Sequence, residues 1–428
     1  MTEIIWEELR DAALEEGYFR CKHPSGLEIQ VLTKPGYSTS YALFSAKYGS
    51  IDTAILSHGG ARELPEGTAH FLEHKLFESE DLDAFARFAQ TGASANAFTS
   101  FERTAYLFSC AAHFDKNLAI LLDFVQSPYF TQATVEKEQG IIGQEIRMYQ
   151  DNPGWEVMFR LLRLLYRRHP VRVDIAGTEE SISEITAELL HECYRNFYNL
   201  HNMVLCVAGD VAKEAVLQAA NALLKPTGGE PAKRRRMPDP EAPAQTYTER
   251  RMPVAVPRFM LGWKEALEQP ELSEEETVLA DLILDALTGE CSALYEQLLG
   301  QGLINTGFDC EFFSGYDYAC SLFGGESKQP KQAAALVEQT LLEASAKGLD
   351  AEDFECARKK AYGRLVMEYN DIEDLALRMT DAYFAGNDLF ARARALRDVT
   401  LEQANGRLRR MFRPGWTALS VILPLEEE

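Results

Sequence analysis

The sequence has no Cys-x-x-Cys pair and no apolar run that approaches the about 20 residues of a membrane-spanning helix. Its eight cysteines are scattered along 428 residues, and a chain of this size needs no disulfide framework. The acidic N-terminal segment also lacks the positively charged start and apolar stretch of a signal peptide. We therefore expect a cytoplasmic protein with reduced cysteines and no membrane association.

Positive charge is also scarce. The 43 lysines and arginines are outnumbered by 66 aspartates and glutamates, which gives a formal net charge of −23. Because phosphate groups bind cationic surfaces, this balance argues against a nucleic-acid partner and against an anionic membrane surface. The hydrophobic fraction of 46% is that of ordinary globular proteins, and the length corresponds to two or three domains of about 150 residues.

Two halves of the chain repeat the same kind of pattern. Each half contains short β-prone runs, amphipathic helical patterns and a final strand. The segment 85–92 matches 295–302, and 203–207 matches 418–422, with one offset of about 210 residues. We therefore predict an α+β protein with two similar domains, each a mixed, mostly antiparallel sheet with helices packed on it.

Proline and glycine concentrate between the halves and mark a linker. The predicted domains are therefore 1–224 and 246–428, with 225–245 as the linker. The linker contains a basic run from Lys233 to Arg236. Such a run is typical of a docking patch or of a solvated linker, and the acidity of the whole chain favours the solvated linker.

Histidine is rare, yet two of the eight histidines fall within His70-Phe71-Leu72-Glu73-His74. In a helix, His70 and His74 lie one turn apart on one face, with Glu73 beside them. Zinc in a catalytic site takes three protein ligands and a water, whose proton a neighbouring carboxylate can accept. The glutamate precedes the second histidine, which is the inverted order of zinc-peptidase motifs. An ordinary helix with two satisfied polar residues is the alternative interpretation.

A second helical pattern, 131–149, carries Glu138 and Glu145 seven positions apart (145 − 138) and therefore on one face. Gly140 and Gly143 each cost this helix up to about 1 kcal/mol relative to alanine, which suggests that another element packs closely against it. Glu145 taken alone is equally well interpreted as a surface residue. The corresponding part of the second half contains no histidine, so we expect a metal ion only in the first half.

Together these motifs resemble the pitrilysin-like, inverted-zinc (HxxEH) metallopeptidases, a family related to the processing-peptidase and insulysin types. The likeness rests on His70-x-x-Glu73-His74 and on a Glu-x6-Glu pair that ends 71 residues after His74 (145 − 74), and it extends over nearly the whole chain. The resemblance implies that His70, His74 and Glu145 bind one Zn²⁺ ion. It also implies that Glu73 is the catalytic base that activates water.

The resemblance implies supporting roles for three further residues. Glu138 matches an acidic residue that holds one of the two histidines. Asn96 and Ala97 match an edge strand on which the family lays an extended peptide by β-augmentation. The expected reaction is hydrolysis of peptide bonds in oligopeptides or a small precursor.

Two positions depart from the family pattern. Active members carry an arginine and a tyrosine in the second domain, where this chain has Ala293 and Asn305. Alanine cannot donate the hydrogen bonds of an arginine, and the loss of one such donor typically costs about 3 kcal/mol of transition-state stabilisation. We therefore expect a heterodimer in which a second pitrilysin-like subunit supplies the arginine and the tyrosine, with a homodimer as the alternative.

Two rival functions remain. A non-catalytic or structural metal-binding subunit of a pitrilysin-type complex would keep the metal but would not need Glu73, so the intact base favours the enzyme. A di-iron carboxylate bundle needs two Glu-x-x-His motifs, and this site does not supply them.

Overall fold

The structure is a computed structural model that describes residues 4–57, 59–80 and 82–426. The strands are β1 (Glu7–Asp11), β2 (Glu16–Lys22), β3 (Glu28–Thr33), β4 (Ser40–Ala46), β5 (Ala54–Ser57), β6 (Gly60–Glu63), β7 (Ser94–Thr99), β8 (Thr104–Cys110), β9 (Met203–Gly209), β10 (Tyr247–Met252), β11 (Arg258–Glu265), β12 (Asp309–Gly315), β13 (Tyr318–Glu326) and β14 (Thr417–Pro424). The helices are α1 (Thr68–Leu76), α2 (Ala84–Ala89), α3 (Phe114–Val125), α4 (Gln132–Gln150), α5 (Pro153–Leu165), α6 (Glu179–Ser183), α7 (Ala187–Phe197), α8 (Lys213–Leu223), α9 (Glu274–Thr288), α10 (Ala293–Gly300), α11 (Pro330–Lys347), α12 (Ala351–Glu368), α13 (Ile372–Phe384), α14 (Ala391–Asp398) and α15 (Leu401–Met411). No helix within these described ranges is both long and apolar enough to cross a membrane.

Five strands of the first sheet, β3-β9-β4-β8-β7, have the same order as the five strands of the second sheet, which confirms the predicted repeat. The first sheet has seven strands in the order β1-β2-β3-β9-β4-β8-β7, and the second has five in the order β10-β14-β11-β13-β12. In the first sheet β9 pairs in parallel with β3 and antiparallel with β4. In the second sheet β14 pairs in parallel with β10 and antiparallel with β11. The remaining pairs are antiparallel. The predicted α+β class, with mixed and mostly antiparallel sheets, is therefore confirmed.

The chain folds into two compact units that differ from the contiguous domains expected from its composition. The first unit consists of Met1–Ile146, Asp174–Arg235 and Val366–Phe390, and the second of Arg147–Val173, Arg236–Leu365 and Ala391–Glu428. In the second unit α5 packs on β11 and β14, and in the first unit α13 packs on the equivalent strands β4 and β9. Each half of the chain thus contributes one helix to the sheet of the other half. A local composition pattern carries no information about such an exchange.

Helix α1 lies in the core of the first unit. Its residues Phe71, Leu72 and Leu76 are fully buried in one apolar cluster with strands and helices of that unit. The helix begins after Gly67, whose φ of 86° is in the left-handed region. A Cβ atom at Gly67 would lie 2.3 Å from the carbonyl oxygen of Ala176, so only glycine fits this helix start.

The basic run of the linker is not a solvated charge run, and that prediction is wrong. Arg234 donates to the Asp52 carboxylate from Nε (2.7 Å) and from Nη2 (2.8 Å), and Nη2 also donates to the carbonyl oxygen of Glu102. Both partners are buried, with side-chain exposures of 8% for Arg234 and 4% for Asp52. In the second unit the linker residue Asp239 forms a fully buried ion pair with Lys264 at 2.7 Å. Asp52 lies 182 positions from Arg234, and Lys264 lies 25 positions from Asp239 on a separate strand, so a local charge pattern does not reveal either partner.

We predict that Arg234→Gln lowers the free energy of unfolding by about 3 kcal/mol, because Asp52 stays buried without its cation. Urea denaturation followed by circular dichroism measures this change. Lys233→Gln removes the same charge from an exposed neighbour and should leave the unfolding midpoint in place. Equal midpoints for the two variants would contradict the prediction.

Candidate metal centre

Helix α1 supplies three of the predicted site residues. It is a helix, as predicted, so His70 and His74 lie one turn apart, and their ring centroids are 4.6 Å from each other. His70 and Glu73 are buried, with exposures of 8% and 9%. His74 is half-buried.

Helix α4 supplies the two predicted carboxylates. Val135, Glu138, Ile142 and Ile146 are buried along one face of it, and the apolar members belong to the same core cluster as α1. This shared core places the Glu138 and Glu145 side chains beside the histidines. The predicted close approach of another element is wrong at Gly140, where a Cβ atom would meet open space.

Three ligand atoms converge in the first unit. His70 Nε2 lies 3.7 Å from Glu145 Oε1, and His74 Nε2 lies 3.5 Å from Glu145 Oε2. The ligand atoms of the three residues lie within 4.8 Å of one another. Zinc bonds of about 2.0–2.1 Å at tetrahedral angles place neighbouring ligand atoms about 3.3 Å apart. The residues therefore fit a zinc ion, and two imidazoles with one carboxylate are a known donor set of catalytic zinc sites.

His74 is oriented by Glu138. The Nδ1 atom of His74 lies 3.0 Å from Glu138 Oε1, which leaves Nε2 on the side of Glu145. Burial lowers the pKa of His74, but the hydrogen bond to Glu138 and the charges of Glu73 and Glu145 outweigh burial, so the pKa is raised. Burial raises the pKa of Glu138, but the His74 hydrogen bond and the positive charges of His74 and two lysines together outweigh burial, so the pKa of Glu138 is lowered. Glu138 thus has the position that the resemblance implied for a supporting acid.

His70 differs from His74 in its surroundings. Burial, together with the neighbouring His74 imidazole, lowers the pKa of His70 to about 3. In the described part of the chain its Nδ1 atom is buried without a hydrogen-bond partner. His70 is therefore neutral at physiological pH and has a lone pair available to a metal ion.

Glu73 lies on the same helix and is held by a residue that the sequence patterns did not single out. Thr99 Oγ1 donates a 2.7 Å hydrogen bond to Glu73 Oε2. Burial raises the pKa of Glu73, and the Thr99 hydrogen bond opposes this shift without cancelling it. No sequence signal connects Thr99 with Glu73, because they are 26 positions apart (99 − 73) on different elements.

Asn96 and Ala97 lie on β7, at the edge of the seven-stranded sheet. On its inner side β7 pairs antiparallel with β8, where Asn96 is opposite Leu107 and Ala97 is opposite Tyr106. The Asn96 side chain is exposed, and its Oδ1 accepts a hydrogen bond from the Ala97 backbone N–H. The edge position suits β-augmentation, and the substrate role of these two residues stays a prediction.

The second-unit positions that depart from the family pattern have local structural roles. Ser292 caps α10 by accepting a hydrogen bond from the Tyr295 backbone N–H, and Ala293 follows as the first helical residue. Asn305 donates to the carboxylate of Glu326 at 3.0 Å.

Comparison with known proteins identifies the class. Residues 55–179 match the family model described as "Insulinase (Peptidase family M16)", and residues 184–361 match the model described as "Peptidase M16 inactive domain". The chain belongs to this peptidase family, as the sequence resemblance indicated.

Individual relatives agree with this assignment. A Bacillus subtilis (strain 168) protein described as "Uncharacterized zinc protease YmfH" is 43% identical over 399 residues, which cover 91% of this chain and 92% of the relative. The crystal structure of a putative M16-like peptidase from Alicyclobacillus acidocaldarius has 36% identity and a TM-score of 0.90, and 99% of each chain is covered. A protease from Helicobacter pylori shares the fold, with a TM-score of 0.82 at 17% identity over 96% of this chain and 100% of that one.

We predict that zinc binding at about pH 6 releases about one proton per site, because His74 is protonated there and His70 is neutral. Glu138→Gln removes the contact that raises the pKa of His74, so the release should fall. Isothermal titration calorimetry in buffers of different ionisation enthalpy measures the number of protons. Glu136→Gln, an exposed change on the same helix, serves as the control. Release of two protons, or an unchanged value for Glu138→Gln, would count against this assignment.

Proposed function

We propose that this chain is a zinc-dependent metalloendopeptidase that hydrolyses peptide bonds in oligopeptides or a small precursor. The observation that carries the proposal is the convergence of His70, His74 and Glu145, with the Glu73 carboxylate on the same helix as the histidines. These three side chains would hold one zinc ion per chain. The relatives described as zinc proteases support the same reaction class.

The residues of the site have separate tasks. A zinc ion held there supplies Lewis-acid chemistry, which polarises the scissile carbonyl and makes water more acidic. Glu73 accepts a proton from the attacking water and later donates it to the leaving amine nitrogen. Glu138 keeps the His74 proton on Nδ1, so that Nε2 presents its lone pair to the metal.

The substrate would bind in an extended conformation along β7. An edge strand presents unpaired backbone N–H and C=O groups, which an extended peptide can pair with. Asn96 and Ala97 lie in the middle of this strand. Such binding recognises backbone more than side chains, and this supports short or unfolded peptides as the substrate class.

The catalytic form would be a heterodimer in the cytoplasm. Ala293 and Asn305 cannot provide the guanidinium and phenol groups of active family members, which supports a partner subunit that does, with a homodimer as the alternative. All eight cysteines lie in the described part of the chain and are free thiols, in keeping with a reducing compartment.

A non-catalytic metal-binding subunit is the second candidate. It is favoured by the missing arginine and by the match of residues 184–361 to a domain described as inactive. The two candidates differ in their need for Glu73.

We predict that Glu73→Gln lowers cleavage of a random peptide library at least about 100-fold, because the proton acceptor is lost. Bound zinc, measured by mass spectrometry of the metal, should stay at the wild-type level, since Glu73 is not a ligand. Glu136→Gln is the matched control and should cleave as the wild type does. Zinc-loaded protein that cleaves nothing, alone or with any partner subunit, would establish the structural role instead.

We predict that the purified chain alone is a weak peptidase. Addition of a family member from the same organism that carries the arginine and tyrosine should raise kcat/KM by about 100-fold or more, since one oxyanion donor is worth about 3 kcal/mol. Light scattering of the mixture should give the mass of a heterodimer. Full activity in the isolated chain would refute the need for a partner.

A further inference from the structure

A hydrogen-bond chain runs from the core of the first unit to Glu73. Thr99 on β7 donates to Glu73 Oε2 at 2.7 Å, and its hydroxyl oxygen lies 3.3 Å from that of Thr104 on β8. Thr104 donates to the carbonyl oxygen of Tyr48 at 2.9 Å. Tyr48 is fully buried, and its ring stacks on that of Phe197 at a centroid distance of 3.9 Å. The chain is therefore anchored in rigid packing.

The Thr99 hydroxyl donates its proton to Glu73 and not to Thr104. A hydroxyl group carries a single proton, and the proton of Thr104 is committed to the Tyr48 carbonyl oxygen. The Thr99 proton can go to Glu73 at 2.7 Å or to Thr104 at 3.3 Å. The shorter contact ends on a carboxylate, and charge-assisted hydrogen bonds are the stronger ones. The Thr99 hydroxyl therefore donates its hydrogen bond to Oε2 of Glu73 and restrains the carboxylate.

This contact fixes the orientation of the carboxylate. In the described part of the chain, Thr99 is the side chain that donates a hydrogen bond to Glu73. With Oε2 held, Oε1 is the oxygen left to exchange a proton with water. Without Thr99 the carboxylate plane could rotate, because the terminal torsion of a glutamate is broad.

Thr99 also belongs to the strand on which the substrate is proposed to lie. Ala97 and Thr99 are two positions apart on β7, so they share one face of the strand, and their Cα atoms are separated by about 6.6 Å. A peptide paired with Ala97 would thus have a fixed position relative to the residue that holds the base.

We infer that Thr99 is a positioning residue, which orients the Glu73 carboxylate and aligns it with a peptide bound along β7. This inference rests on the proposed peptidase function. It assigns Thr99 no contact with the metal ion, so zinc binding should not depend on it.

The test compares Thr99→Val, which removes the hydroxyl at nearly constant volume, with Thr99→Ser, which keeps it. Thr91→Val is the control, because the Thr91 hydroxyl contacts the Phe88 carbonyl oxygen and Asn117 Oδ1 and does not contact Glu73. For Thr99→Val we expect kcat to fall by about 10- to 100-fold, the usual cost of losing such a supporting contact. KM and zinc content should be unchanged. Thr99→Ser should restore kcat, and Thr91→Val should leave it at the wild-type value.

Several results would overturn the inference. These are an unchanged kcat in Thr99→Val, a parallel loss of zinc and activity, or a serine variant as slow as the valine variant. Crystal structures of zinc-loaded wild type and Thr99→Val add a readout that does not need activity. The Glu73 carboxylate should rotate or occupy two orientations in the variant, and an unmoved carboxylate would refute the role of Thr99. Failure of the proposed peptidase function would appear separately, as wild-type protein that does not cleave or that is insensitive to Glu73→Gln.

Discussion

The approach of the Glu145 carboxylate to the imidazoles of His70 and His74 is the contact on which the proposed metal site of the first unit depends. The three groups come from two helices that share one apolar core, and their ligand atoms lie within 4.8 Å of one another. Imidazole lone pairs and a carboxylate charge that face each other at a partly buried site repel each other unless a cation lies between them. The raised pKa of His74 has the same cause, since without a metal ion a proton is the cation that the site can bind.

The two histidines differ in their tendency to bind this proton. Burial keeps His70 neutral, whereas Glu138 pairs with His74 and favours its protonated form. The Glu138 contact favours a proton on His74 in the absence of metal, and in the zinc site that we propose the same contact would fix the His74 tautomer. One acidic residue would therefore both stabilise the site and orient one of the proposed ligands.

The second unit repeats the strand order of the first, and in the described part of the chain the group of residues that could hold a metal ion lies in the first unit. In the repeat, α9 takes the place of α1, and it carries Asp281 and Asp285 one turn apart, as α1 carries its histidines. Arg392 pairs with Asp281 at 2.5 Å, and Lys360 pairs with Asp285 at 2.5 Å. The cations that balance these carboxylates are side chains of the chain itself. Side chains of the chain itself thus balance these two carboxylates in the second unit, whereas in the first unit we propose that an external ion takes this role.

The sequence by itself determined the α+β class, the internal repeat, the helix of His70 to His74 and the carboxylate pair on α4, because periodicity and spacing within one element are local properties. Only the tertiary structure decided that Glu145 reaches both imidazoles, that Glu138 pairs with His74, and that Thr99 holds Glu73. It also decided that α5 and α13 pack on the sheets of the opposite halves, and that Arg234 is buried against Asp52. These contacts join residues that are distant in sequence, and they form because burial of apolar faces brings whole elements together, which no local pattern of residues records.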